Sequence, residues 1–138
     1  MIEFTIMGDP VAQARPRATT INGRVRMYDT SKSRNYKEYI RLAARRYAPH
    51  EPLECAIRMT VKVYRPMLKN FSKKRRGQAE AGLYRPITKP DTSNYLKGIE
   101  DALNDLIYKD DSQIVSSKVE KFYSENPRVE VRIEEVES

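Results

Sequence analysis

The 138-residue chain has a single cysteine, a single histidine and no tryptophan. Cys55 alone cannot close an internal disulfide, and no Cys/His cluster exists to hold zinc. A Ser-His-Asp or Cys-His mechanism would rest entirely on His50, which falls in a loop between Pro49 and Glu51. Long apolar runs are missing as well. Nothing approaches the ~20 residues of a membrane span, and the N-terminus lacks the charged-then-apolar order of a signal peptide. The expectation is therefore a cytoplasmic protein with no membrane partner, whose chemistry would use carboxylates, lysine and a hard metal ion.

What the chain has in quantity is charge: 26 Lys and Arg against 19 Asp and Glu, a formal balance of +7. That balance is not evenly spread. Residues 13–47 carry +8 and residues 58–89 carry +9, while residues 91–138 carry −6. Cations hold a nucleic-acid backbone, and carboxylates hold a metal where a phosphate must react. The plainer alternative is a basic binding protein with an ordinary acidic end. At 39 % hydrophobic, the chain can build one core but not two, so residues 1–138 read as a single domain.

Ile2, Phe4 and Ile6 alternate with polar residues and predict a strand over 2–7, ended by Gly8-Asp9-Pro10. Asn22-Gly23 lies between β-rich flanks and predicts a basic hairpin over 19–28. Thr30 or Ser31 can cap a helix to about Ala48, with Tyr36, Ile40, Ala43, Ala44 and Tyr47 on its apolar face. Residues 55–63 alternate and predict a second strand. The basic stretch 65–90 contains Lys73-Lys74-Arg75-Arg76, with a short helix over 73–82 capped by Ser72. From about Ser93, the residues Tyr95, Leu96, Ile99, Ala102, Leu103 and Leu106 share a helix face, and Asn104-Asp105 suits its end, because Asn tolerates the left-handed conformation. Residues 113–123 and 128–136 read as two strands joined as a hairpin by Ser124-Glu125-Asn126-Pro127. This order predicts an α+β domain, with two main helices packed on a small mixed β-sheet.

The chemistry concentrates in Lys89-Pro90-Asp91-Thr92-Ser93-Asn94, Lys97, Asp101-Ala102-Leu103 and Asp110-Asp111-Ser112-Gln113. Two carboxylates from separate elements can converge here on one Mg²⁺, which prefers oxygen ligands and keeps several waters. Such an ion polarises a phosphodiester, and a nearby Lys offsets transition-state charge. Each residue also has a structural explanation. Asp91 can be a helix cap, Asp110 and Asp111 turn residues, and Lys97 with Asp101 a surface ion pair. Tyr28, Tyr84 and Tyr108, beside charged loops, are candidates to stack on an unpaired base.

In order and spacing, these linked motifs resemble the RusA family of Holliday-junction resolvases, found widely in prophages. The family pattern is Asp-x-Asp-Asn near a helix start, then a Lys, then Asp-Ala-Leu and Asp-Asp-x-Gln. Gly8-Asp9-Pro10 with Arg15-Pro16-Arg17 is also similar to the opening of members from Gram-positive hosts and their phages. The resemblance implies a homodimeric, Mg²⁺-dependent endonuclease that resolves four-way DNA junctions by paired nicks, with Mn²⁺ as an alternative ion. It implies metal ligation by Asp91 and Asp111 and an essential role for Lys97. Arg15, Arg17, Lys73, Lys74, Arg75 and Arg76 would contact DNA. One residue departs from the pattern: Ser93 stands where the family has the second Asp. Either Asp110 compensates, or Ser93 holds a water of the metal, or the chain binds junctions and cuts slowly or not at all.

Overall fold

A computed structural model describes residues 1–13, 17–28 and 31–136, and the side chains of 17–19, 21 and 26–28 lie outside that description. In chain order the elements are β1 (Ile2–Met7), β2 (Arg17–Ile21), β3 (Arg24–Tyr28), α1 (Ser31–Arg45) and β4 (Ala56–Pro66), followed by α2 (Lys73–Glu80), α3 (Thr92–Ala102), β5 (Ile114–Ser124) and β6 (Arg128–Val136). The fold is the expected α+β arrangement around a mixed sheet, and α2 is the short helix expected over 73–82.

Four strands form the main sheet in the order β1-β6-β4-β5, and β2 pairs with β3 as a separate hairpin. In that hairpin Asn22 and Gly23 both take positive φ, 52° and 75°, as a two-residue turn between twisted strands requires. Strand β4 is flanked by β6 antiparallel and by β5 parallel, Val61 facing Val131 on one side and Val119 on the other. Here the sequence-based expectation fails. Strands β5 and β6 are not a hairpin, because β4 lies between them. Alternation reveals which face of a strand is buried and is silent on its neighbour. Residues 125–127 have only to bridge two strand spacings, ~10 Å, which three residues span when extended. The polar strand β5, with Lys118 exposed, takes the sheet edge, and the apolar β6 is central.

One face of the sheet carries the core. Phe4 and Ile6, Met59, Val61 and Val63, and Val129, Val131 and Ile133 are buried there against Ile40 and Ala44 of α1 and Tyr95, Ile99 and Ala102 of α3. The opposite face is charged, with pairs such as Arg132–Glu3 at 3.4 Å and Arg128–Glu130 at 2.9 Å.

Two helices end sooner than their apolar spacing suggests. Helix α1 stops at Arg45, so Tyr47 is 45 % exposed and stacks on Phe4 with ring centroids 6.2 Å apart, outside the core face predicted for it. Helix α3 stops at Ala102, one turn short of Leu106 and just before the expected Asn104-Asp105 end, where Asp105 rather than Asn104 takes positive φ, 62°, and turns the chain. The predicted Ser72 cap is present, its hydroxyl accepting from the Arg75 amide at 3.1 Å.

Ile99→Ala should therefore cost about 2–5 kcal/mol of stability in urea unfolding, the range for truncating a closed core site. Ile87→Ala, at a side chain 95 % exposed, should stay within about 0.5 kcal/mol of the parent.

Candidate active site

Helix α3 is placed by its apolar residues and by its entry loop. Tyr95, Gly98, Ile99 and Ala102 face the sheet. The loop before it is tied down by two cations: Arg65 donates to the Thr88 carbonyl at 3.1 Å, and Lys121 donates to the Thr88 and Pro90 carbonyls at 3.0 and 3.1 Å. Asp91 then takes the N-cap position with extended backbone, yet its carboxylate makes no capping hydrogen bond. An exposed carboxylate at a helix start that makes no capping hydrogen bond is free to serve another cation. Because α3 buries its 95–99–102 face, Ser93, Lys97 and Asp101, at i, i+4 and i+8, run down a more open side.

The chain returns to that side through the acidic turn. Asp110 caps the one-turn 3-10 segment Asp111–Gln113, accepting from the Ser112 amide at 2.9 Å, while the Asp110 amide donates to Gln113 Oε1 at 2.9 Å. The same Gln113 donates to the carbonyls of Leu53 and Cys55 at 2.8 and 3.0 Å, fastening the turn to the segment before β4. Fixed in this way, the Asp111 carboxylate lies 3.5 Å from Lys97 Nζ, which is also 3.0 Å from Asp101 Oδ1.

The surroundings are acidic and partly enclosed. Asp101 is also met by Lys37 of α1 at 3.7 Å. Burial pushes the Glu100 carboxyl up, Asp111 and Asp101 push it further, and Lys97 opposes them. The hydrogen bond to Asp101 raises the Lys97 ammonium above its ordinary value, so it stays charged at neutral pH. Glu100, Asp101 and Asp111 thus face Lys97 and Lys37, three negative groups against two positive ones.

The residues expected from sequence are distributed unevenly. Lys97 and Asp111 meet as anticipated. Asp110 serves as a cap, and the Ser112 hydrogen bond holds its carboxyl below the usual range. Among the described residues, no three His, Cys, Asp or Glu side chains gather into a group able to hold a metal, so Asp91, Asp110 and Asp111 form no ready-made cage. Tyr108 is fully buried and donates to the Glu100 carbonyl at 2.6 Å, so it cannot stack on a base. Tyr84 packs between Phe71, Tyr123 and the Arg75 guanidinium, which sits 3.9 Å over its ring, and the Tyr28 side chain lies outside the described residues. Two residues were not singled out from sequence: Gln113, known only as the end of a motif, and Arg41. Arg41 reaches from α1 to donate to the Ala102 and Asn104 carbonyls at 2.8 Å each, closing the α3 C-terminus. Neither role has a local signal, because each partner lies some sixty residues away.

A family model described as endodeoxyribonuclease RusA matches residues 7–134. The chain belongs to the RusA family. It is 56 % identical over 137 residues to the uncharacterized protein YqaN of Bacillus subtilis (strain 168), covering 98 % of this chain and 96 % of that one. It is 27 % identical over 140 residues to the crossover junction endodeoxyribonuclease rusA of Lactococcus phage r1t, covering 97 % and 96 %. In this RusA-family chain the basic residues named from sequence also divide. Lys73 and Lys74 are exposed on α2, whereas Arg75 lies over Tyr84 and Arg76 pairs with Glu125 at 3.7 Å. Arg15 and the Arg17 side chain lie outside the described residues. No described helix is long and apolar enough to cross a membrane.

Gln113→Ala should leave the Leu53 and Cys55 carbonyls without their donor and cost about 1–3 kcal/mol. Amide hydrogen exchange should show faster opening confined to residues 109–114 and 53–55.

Proposed function

We propose that the chain is a structure-selective DNA endonuclease that cuts four-way junctions by Mg²⁺-dependent paired hydrolysis of phosphodiesters. The observation that carries this reading is the meeting of Asp111 with Lys97 inside an acidic cluster, in a member of an endodeoxyribonuclease family. The phage relative, by name a crossover junction endodeoxyribonuclease, supplies the substrate class.

The donor chemistry suits the ion. Mg²⁺ takes oxygen ligands, retains several waters and is commonly held by one or two carboxylates plus substrate phosphate, so a three-carboxylate cage is not required. Asp111 would be one protein ligand and Asp91, unengaged at its helix cap, the other. Ser93 or Asp110 would contribute through water, and Mn²⁺ would be accepted in place of Mg²⁺. When bound, the ion polarises the phosphodiester and helps deprotonate the attacking water. Lys97 keeps its positive charge, is held in place by Asp101, and offsets the negative charge that builds on the phosphate oxygens. Lys73 and Lys74, with Arg15 and Arg17, hold the DNA backbone. A two-fold homodimer presents two equivalent sites to a junction that is itself two-fold symmetric. Such work belongs in the bacterial cytoplasm, on host or phage DNA.

A second reading is favoured by one residue. Ser93 is exposed on the Lys97 face of α3, where the family pattern has Asp, and a neutral hydroxyl is a weaker ligand than a carboxylate. On that reading the chain binds junctions without cutting them efficiently.

Asp111→Asn should reduce Mg²⁺-dependent cleavage of a synthetic four-way junction at least 100-fold while leaving its binding in Ca²⁺ within about twofold. Cleavage near the wild-type rate would remove Asp111 from the mechanism. If the wild-type chain binds junctions but does not nick them, cleavage gained by Ser93→Asp would establish the second reading.

A further inference from the structure

Beside the entry to α3 lies a groove of about 610 Å³, walled by the segment after β1, the start of α1 and the loop that delivers Asp91. Three cations from separate elements line it: Lys32 of α1, Arg65 at the end of β4, and Lys89 just before Pro90. Arg65 is occupied with Thr88, but Lys32 and Lys89 are exposed and engage no partner among the described residues. Among the described residues that line it, a single carboxylate, Asp9, stands against them. Pro10, Val11, Pro66 and Pro90 supply apolar surface between the charges. On the same wall the Gln13 amide is fixed by its bond to the Asn94 carbonyl at 3.1 Å.

This combination selects a particular chemistry. Two ammoniums without a partner among the described residues ask for an anion, and the proline surface asks for a flat or ring-shaped apolar face. Inorganic phosphate satisfies only the first demand. A deoxynucleotide satisfies both, with its phosphate and its sugar and base faces. The volume falls in the ~300–1,000 Å³ range of small-ligand pockets, enough for one or two nucleotide units. The groove also opens at Asn94, next to Ser93 on the helix that carries Lys97.

Resting on the nuclease reading above, we propose that this groove seats the nucleotide of the DNA strand adjoining the phosphate to be cut, with Lys32 and Lys89 pairing with its phosphate oxygens. The groove aligns the strand before chemistry, and the acidic cluster further along α3 acts on the next phosphate. Neither lysine belongs to the metal or proton-transfer machinery, so their work is read in binding.

The experiment combines a Lys32→Gln/Lys89→Gln variant of the full chain with junctions carrying one uncharged methylphosphonate, walked through the strand around the branch point. Binding is measured in Ca²⁺. Wild type should lose affinity several-fold at one or two adjacent positions. The variant should bind the unmodified junction several-fold more weakly, with a log Kd against log salt slope shallower by about 1.4–1.8 for two lost contacts. At those one or two positions the methylphosphonate should cost it nothing more, while elsewhere it costs what it costs wild type. Full penalties at every position in the variant, or an unchanged salt slope, would overturn the proposal. Competition by free deoxynucleoside monophosphate or inorganic phosphate as effective as that by junction DNA would also overturn it, by assigning the groove to a free ligand. Failure of the nuclease reading shows separately, as absence of nicking by wild type in Mg²⁺ with the interference pattern intact.

Discussion

Ile57 stands opposite Ile114 and Pro66 opposite Ser124, so β4 and β5 run in the same direction along ten residue pairs. A parallel pair cannot be closed by a turn, and the chain must travel back along the whole strand before β5 can begin. Asp91, Lys97, Asp101 and Asp111 all lie on that return path. Helix α2 and the basic loop carry the chain away from the end of β4, α3 carries it back across the sheet, and the acidic turn delivers it beside Leu53 and Cys55. The position of Asp111 is thus set by the start of β5, and the position of Lys97 by the helix packed over the same strands. Their 3.5 Å approach is a consequence of parallel pairing.

The polar contacts between α1 and α3 follow from the same constraint. A helix laid across a sheet needs a neighbour to cover its flank, and α1 supplies Ile40 and Ala44 for the core together with Lys37 and Arg41 for the rim. Arg41 satisfies carbonyls at the α3 C-terminus that no following turn of helix can reach, which allows the helix to stop at Ala102 and the chain to swing into the acidic turn. The ion pairs around Lys97 involve a half-exposed ammonium, and such pairs contribute only about 0.2–1 kcal/mol to stability. Their value is positional, since Asp101 holds the ammonium near Asp111 whatever occupies the space between.

The +7 balance acquires a location at this level. Lys32, Arg65 and Lys89 lie around the α3 entry, and Asp101 and Asp111 lie toward its far end, so one helix links a basic region to an acidic one. Ser93 lies on that helix at the side of Lys97. An aspartate there would add negative charge between the two regions.

Much of the architecture was legible because its causes are local. Strand β1, the Asn22-Gly23 turn, the Ser72 cap and the start of α3 at Asp91 each depend on residues within a few positions, and each is found where the sequence placed it. The linked Asp, Lys and Asp-Asp motifs identified the family for the same reason, since their spacing is read along the chain. Partnership across the chain was not legible. Alternation in β5 and β6 defined their faces and left open the slot that β4 fills between them. The basic run at 73–76 gave no sign that Arg75 and Arg76 would turn to Tyr84 and Glu125. The sequence by itself determined the elements, the family and the residue types available for catalysis. Only the tertiary structure decided which of those residues meet, because strand order and helix packing depend on contacts between segments that no local pattern records.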